Sequence, residues 1–372
     1  MPSPVPGRPP FRADHIGSLL RPPRLRQAFR ERAANTLSEN EFRRIQDDSI
    51  RDVVRLQQEA GLGVVTDGEF RRGSYWSRFV ELTEGLAVRE ARFKFRDEHG
   101  HEQSFTAPYV EGTVRRRGPI ALDEFDFLRR VAAATPKITL PSPSTMHFWR
   151  GSGYVGPGIY ADPAAFFHDL AAVYRAEIAD LGRAGCRYVQ LDEVALAMLC
   201  DPNACAQVRA DGGDPERLAE LYIDAINAAV AGHPAEMTIG VHMCRGNFKG
   251  KYLAEGGYHG IAEKLFQRAA VSHFLLEFDT PRAGDFAPLR FVPKEKGVVL
   301  GLVSSKTPAL EPLDGLRRRV DEASRHIGLE RLAISPQCGF ASTVAGNPVT
   351  EAVERAKLGR VVEAAHAIWG SV

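Results

Sequence analysis

Thr238-Ile-Gly-Val-His-Met-Cys244 is a short apolar run that ends in two metal-binding side chains. Seven further runs share its form: His15–Leu19, Gly63–Glu69, Lys137–Pro143, Tyr188–Glu193, Phe274–Asp279, Val298–Ser305 and Leu332–Gly339. Several are nearly continuous Val, Ile and Leu, the composition of strands covered on both faces. Longer segments with helical spacing separate them. Ser38–Ala60 carries a stripe of Phe42, Ile45, Val53 and Leu56, and Ala161–Ala184 opens on Asp162-Pro163, a capping residue followed by a first-turn proline. Pro215–Ala231, Ile261–Ala270, Pro312–Gly328 and Val349–Trp369 continue the alternation. Eight such repeats predict an α/β chain folded as a (β/α)8 TIM barrel. An open doubly wound sheet is the alternative, but no glycine-rich phosphate loop follows an early strand. Glu84–Arg117 breaks the rhythm. Alternation within Val88–Arg96 and Phe105–Val114, on either side of Gly100, predicts a β-hairpin inserted after strand 2. The chain is therefore expected to be one domain, 1–372, with the 84–117 hairpin inside it.

Composition narrows the function. The 372 residues are 44% hydrophobic and 26% charged, with a net charge of +1. That balance offers nothing to nucleic acid or to an anionic membrane. No apolar run approaches the roughly 18 residues of a membrane span. Met1–Pro10 is proline-rich without an apolar stretch, so it reads as a loose arm and not a secretory signal. Five cysteines in so long a chain are no disulfide framework. The expected location is cytoplasmic, and the cysteines become candidate ligands or nucleophiles.

In a parallel barrel the functional face is the one at the strand C-termini. Here the runs finish in Gly17-Ser18, Asp67-Gly68-Glu69, Ser142, Asp192-Glu193, His242-Met243-Cys244, Glu277, Ser304-Ser305 and Cys338. His242 and Cys244 are two residues apart, so on a strand both point the same way. With Glu277 and Cys338 at the ends of other strands they supply imidazole, carboxylate and thiolate, the ligand types of zinc. Cys186, Cys200 and Cys205 read as structural. A metal held by two thiolates and a carboxylate is a poor activator of water but a good holder of a thiol, which it deprotonates at neutral pH. Glu277 is the ligand most able to give way to that thiol. The thiolate would then attack an alkyl group, so the pattern points to thiol alkylation and not hydrolysis.

These residues carry a resemblance. From Arg12-Ala-Asp-His-Ile-Gly-Ser-Leu-Leu-Arg-Pro22 to Pro336-Gln-Cys-Gly-Phe-Ala-Ser-Thr343, the chain resembles the catalytic barrel of cobalamin-independent methionine synthase, and more closely its short single-barrel relatives. The segments Asp67-Gly-Glu-Phe70, Gln190-Leu-Asp-Glu193 and Gln337-Cys-Gly339 are specific to it. The resemblance implies zinc (Zn2+) on His242, Cys244, Glu277 and Cys338, and methyl transfer from 5-methyltetrahydrofolate to homocysteine. It implies that Ile16, Gly17 and Ser18 hold the amino acid's carboxylate and that Glu69 and Asp192 take its ammonium. Trp149, in Leu140–Trp149, is the residue expected to stack on the donor. The chain departs from the family in two places. Gly17 stands too near the start to follow the N-terminal barrel of the full synthase. Ser304 stands where the family has a histidine that protonates the departing folate; Lys306 is close by as an anion binder or donor. Glu277, Ser304 and Lys306 are thus the expected catalytic set. The donor is 5-methyltetrahydrofolate, a simpler methyl compound, or the methyl group of a partner corrinoid protein. Two other readings use the same residues: zinc-dependent opening of an epoxide by a thiol or cleavage of a C–S bond, with His147, His259 or Lys306 as acid, and a non-catalytic zinc carrier.

Overall fold

A computed structural model describes residues 5–96 and 102–372. The fold is mixed α/β. Its centre is a six-stranded parallel sheet of Ile138–Pro141 (β7), Tyr188–Glu193 (β8), Thr238–Met243 (β9), His273–Glu277 (β10), Gly297–Val303 (β11) and Leu332–Pro336 (β12), in spatial order 12-11-10-9-8-7. Every residue of these strands is buried, which is why they read as unbroken apolar runs. Val64–Val65 (β1) pairs in parallel with Thr135–Pro136 (β6), and the Lys137 amide donates to Val65 O, so this pair leads directly into β7. The remaining strands lie between β1 and β6 in the chain.

The expected strand His15–Leu19 does not form. Sheet pairing falls earlier: Ala13 bridges in parallel to Ile334 of β12, through Asp14 N to Ile334 O (3.0 Å) and Ile334 N to Arg12 O (2.9 Å). Gly17, at φ +127°, then bends the chain away; a Cβ there would meet Thr139 Cγ2 at 2.6 Å. The loose arm is also corrected from Gly7 onward, where the Gly7 amide donates to Glu295 O and Pro9 packs against Gly297.

Helices Glu39–Glu59, Pro163–Arg183, Pro215–Val230, Leu313–Ser324 and Glu351–Trp369 follow the expected periodicity. Ser38 caps the first by accepting from the Glu41 amide, while its hydroxyl donates to the Glu41 carboxylate. Asp162 accepts from the Ala165 amide ahead of Pro163. The stripe Phe42, Ile45, Val53 and Leu56 is buried as the spacing requires. The helix expected over Ile261–Ala270 is a shorter one, Ala262–Arg268.

Thr83–Glu90 (β2) pairs antiparallel with Thr106–Arg116 (β5), and Phe95–Arg96 (β3) with Glu102–Gln103 (β4). Gly100 lies outside the described residues. The β2–β5 pair is tied to the body by Val110 N to Tyr154 O and Gly156 N to Val110 O, both 2.8 Å. Beneath the strand ends runs a polar network that sequence patterning does not reveal. Lys137, fully buried, lies 2.7 Å from Asp14; the Tyr188 hydroxyl donates to Asp14 (2.7 Å) and sits 2.7 Å from His273. No helix among the described residues is long and apolar enough to cross a membrane.

Candidate metal centre and its cavity

His242, Cys244 and Cys338 are all buried, and their ligand atoms lie within 4.8 Å of one another. His242 lies next to the C-terminal residue of β9, Cys244 follows that strand by one residue, and Cys338 follows β12 by two. The two sulfurs are 3.7 Å apart. Two sulfurs each about 2.3 Å from one tetrahedral ion would be about 3.8 Å apart. His242 Nδ1 lies 3.2 Å from Leu275 O, and that contact assigns its proton to Nδ1. Nε2 is left buried without a hydrogen-bond partner, its lone pair available to a cation. Sharing a proton with Cys338, together with burial, pushes the Cys244 thiol well above its ordinary value. A cation bound beside it would favour the Cys244 thiolate. The donor set therefore fits a zinc ion.

Glu277, the fourth expected ligand, ends β10 but is not part of this three-residue cluster. The Arg245 amide donates to its Oε2 at 2.6 Å, and its Oε1 lies 3.6 Å from Lys306 Nζ and 4.0 Å from Arg282. Burial works against its charge, but Lys306, Arg245 and Arg282 outweigh it and hold the carboxyl below its ordinary range. An ionised carboxylate is thus kept at the strand end by cations of its own.

The cluster opens into a cavity of about 350 Å3. Ile16, Ser18, Glu69, Asp192 and Trp149 line it, beside His242, Cys244 and Cys338. Gly17 lies between two lining residues, its carbonyl held by the Thr66 hydroxyl (2.6 Å). Glu69 has φ +62°, a costly conformation for a non-glycine residue, fixed by an Asx turn in which its amide donates to Asp67 Oδ1 (2.8 Å). Arg71, two residues on, pairs with Asp47 at 2.6 Å. The cation near Glu69 is Arg72, at 3.7 Å, and it is committed to Glu124 at 2.6 Å. Thr139 donates to Glu69 Oε1 (2.8 Å), while Oε2 is buried without a hydrogen-bond partner. Asp192 accepts from Gln190 Nε2 at 2.7 Å. Burial first, and then the Glu69 charge, push Asp192 up to about 7; burial also raises Glu69. Two buried carboxylates facing one cavity make a strong site for an ammonium.

The rest of the wall is aromatic. Tyr75, Trp76 and Trp149 line it, as do Phe105, from the residue before β5, and Phe248, from the loop after β9. Phe148, which precedes Trp149, is not part of the wall. Phe105 and Phe248 escaped sequence reading, because no periodicity assigns a side to a loop aromatic. Trp149 meets Phe105 edge-on at 5.4 Å, and its Nε1 is buried without a hydrogen-bond partner.

None of the three expected catalytic residues, Glu277, Ser304 and Lys306, lines the cavity. The Ser304 amide donates to Glu311 (2.8 Å), Lys306 faces Glu277, and neither lines the wall. Nor does His147, which is 2.8 Å from the Tyr222 hydroxyl and pushed down to about 4 by burial. His259 lies at the surface, 3.3 Å from Asp285. The Cys186, Cys200 and Cys205 thiols each contact a backbone carbonyl away from the cluster.

Residues 11–367 match the family described as the cobalamin-independent synthase, catalytic domain. Among curated relatives, the Bacillus subtilis protein YxjH is 40% identical over 364 residues, covering 97% of this chain and 95% of that protein. The methionine synthase of Pyrococcus abyssi is 27% identical, over 87% of this chain and 85% of its own length. Among solved structures, the putative vitamin-B12 independent methionine synthase of Listeria monocytogenes superposes with a TM-score of 0.75 at 30% identity, over 97% of this chain and 99% of that one.

Proposed function

The chain belongs to the family of the cobalamin-independent synthase catalytic domain, and from that premise we propose that it is a zinc-dependent methyltransferase that converts homocysteine to methionine. The observation that carries this reading is the pairing, in one cavity, of a His–Cys–Cys cluster whose sulfurs are 3.7 Å apart with two buried, under-compensated carboxylates. A thiol that also carries an ammonium is the ligand that uses both.

In this reading the eight strand positions close as a (β/α)8 barrel. The Arg12–Asp14 segment completes the ring between β12 and β1, supported by Leu19 N to Gly68 O at 3.2 Å. Residues 1–372 form one domain, and 84–117 is a hairpin inserted beside the mouth. His242, Cys244 and Cys338 would hold zinc, with Glu277 as fourth ligand. Zinc there would supply the acidity that keeps a bound thiol ionised at neutral pH.

The chain's own residues do the rest. Glu69 and Asp192 take the substrate ammonium, and their charges then become favourable. The Ile16–Ser18 backbone and the Ser18 hydroxyl take its carboxylate. Lys306, Arg245 and Arg282 keep Glu277 ionised and near at hand. The aromatic wall excludes water, leaving a thiolate poorly solvated and more nucleophilic. Titration of the cobalt-substituted protein with homocysteine tests this: a new sulfur-to-metal absorption band is expected. No band, in protein binding close to one equivalent of metal, would refute the assignment.

A further inference from the structure

Resting on that reading of the acceptor side, we propose that Gln190 and Thr139, which stand behind the cavity wall, are positioning residues for Asp192 and Glu69: each is oriented by a buried cation and turns a neutral donor to its acid, which is thereby aimed but not neutralised. The two residues are register partners, Thr139 on β7 and Gln190 on β8. Both are buried, and neither lines the cavity. Gln190 precedes Asp192 by two residues on one strand, so the two side chains leave the same face of β8. Lys137 fixes which way the Gln190 amide points. Its ammonium donates to Asp14 (2.7 Å), to His15 O and to Gln190 Oε1 (3.0 Å). An ammonium has no acceptor, so the amide oxygen must be the atom that faces it. The amide nitrogen is turned the other way, where it donates to Asp192 Oδ1 (2.7 Å) and to Ile16 O (2.6 Å). One side chain thus joins the acid proposed for the ammonium to the segment proposed for the carboxylate.

The neighbouring strand repeats the device. Arg72, again a donor only, donates to Thr139 Oγ1 at 3.0 Å, which leaves the single hydroxyl proton of Thr139 for Glu69 Oε1 at 2.8 Å. In both cases the charge of the cation is met elsewhere. Lys137 is paired with Asp14, and Arg72 with Glu124 at 2.6 Å; Arg72 lies 3.7 Å from Glu69, beyond hydrogen-bond range. A lysine or arginine in direct contact with Glu69 or Asp192 would close an ion pair and compete with a substrate ammonium. A neutral amide or hydroxyl fixes the direction of the carboxylate with a dipole alone and leaves its charge to be met by the ligand. The arrangement selects thiols that carry an amino group, and it does so from residues that the substrate does not touch.

The test uses the cobalt-substituted full chain and two changes that keep volume, Gln190→Met and Thr139→Val. Homocysteine is titrated against the sulfur-to-metal band, and so is 2-mercaptoethanol, which has neither an amino group nor a carboxylate. Each variant should bind homocysteine about tenfold more weakly than the parent and 2-mercaptoethanol within about twofold of it. Thr139→Val keeps the methyl group that packs against Gly17, so it carries the test should Gln190→Met fail to fold. Lys137→Met, combined with Asp14→Asn to spare folding, frees the amide to turn. It should also weaken homocysteine binding, yet add no further loss to Gln190→Met, because it acts through that side chain. Unchanged homocysteine affinity, an equal loss for both thiols, or additive losses in the combined variant overturn the proposal while leaving the acceptor site standing. A parent chain whose cobalt spectrum does not respond to homocysteine overturns both.

Discussion

Glu69→Gln is the sharpest test of the acceptor site. The side chain is 2% exposed, with one oxygen taken by Thr139 and the other buried without a partner. Glutamine keeps its shape and the Thr139 contact, but it removes the charge and can direct an N–H at the incoming ammonium. A charge-assisted hydrogen bond contributes about 1.5–3 kcal/mol, so a loss near 2 kcal/mol weakens homocysteine binding about 30-fold. Asp192 limits the loss, since it faces the same cavity and is freed from the Glu69 charge that helps to raise it. Folding should not suffer. Burial holds the Glu69 carboxyl above its ordinary range, so its charge is a cost in the native state and the Tm of the variant should equal or exceed that of the parent. The assay is a titration of cobalt-substituted protein with homocysteine and, as control, with 3-mercaptopropionate, which lacks the amino group. The expected result is a shifted homocysteine curve and an unchanged control. Unchanged homocysteine affinity, or an equal loss for both thiols, would refute the placement of the ammonium.

Three further outcomes are expected. Cys338→Ser should reduce bound zinc from about one equivalent to well below it, measured by metal analysis after dialysis; even altering a ligand's hydrogen-bond partner costs about 10–100-fold in metal affinity, and loss of a thiolate should cost more. Glu354 is buried, accepts from the Leu20 amide at 2.9 Å and is pushed up from 4.5 to about 8, chiefly by burial. A folded value above the unfolded one means that its contribution is intact below about pH 4.5 and is lost as pH rises through about 8; the loss is at most about 5 kcal/mol. Tm measured from pH 5 to 9 should therefore fall more steeply in the parent than in Glu354→Gln, and parallel profiles would contradict this. Lys137→Met strands Asp14 without its cation, a loss of about 3–5 kcal/mol, and at roughly 2 °C per kcal/mol the Tm should drop several degrees; adding Asp14→Asn should restore part of it.

Much of the site was legible because strand geometry is simple. A period of two puts His242 and Cys244 on one side, and strands running in parallel gather their C-terminal residues at one end. What escaped depends on contacts remote in sequence. Glu277 ends its strand as expected, but its partners Lys306, Arg282 and the Arg245 amide follow from no spacing rule. His15–Leu19 looked like a strand because Ile16 and Leu19 are apolar; the left-handed Gly17 makes it a loop that lines the cavity. The buried Asp14–Lys137–Tyr188–His273 network was invisible for a similar reason: each member is a lone polar residue in or beside an apolar run.

Register then does what composition cannot. Asp192 of β8 is the direct neighbour of His242 of β9, and His242 in turn pairs with Leu275, two residues before Glu277 on β10. Adjacent strands lie about 4.8 Å apart. Asp192, proposed to take the ammonium, and the imidazole of the candidate metal cluster are therefore fixed one strand spacing from each other by backbone hydrogen bonds, not by mobile loops. A single slip of β8 against β9 would turn Asp192 away from the cavity and leave His242 beside an apolar neighbour. If the proposed acceptor binds there, the distance between its sulfur and its nitrogen is matched by the pairing of two fully buried strands. The donor side is different. Phe105 comes from the edge of the β2–β5 pair, and Phe248 from the loop after β9. The proposed acceptor side is consequently held by the sheet, while the aromatic side of the cavity depends on elements that can change without disturbing it. Relatives can share the cluster and the acids while their aromatic walls, and with them their methyl donors, diverge.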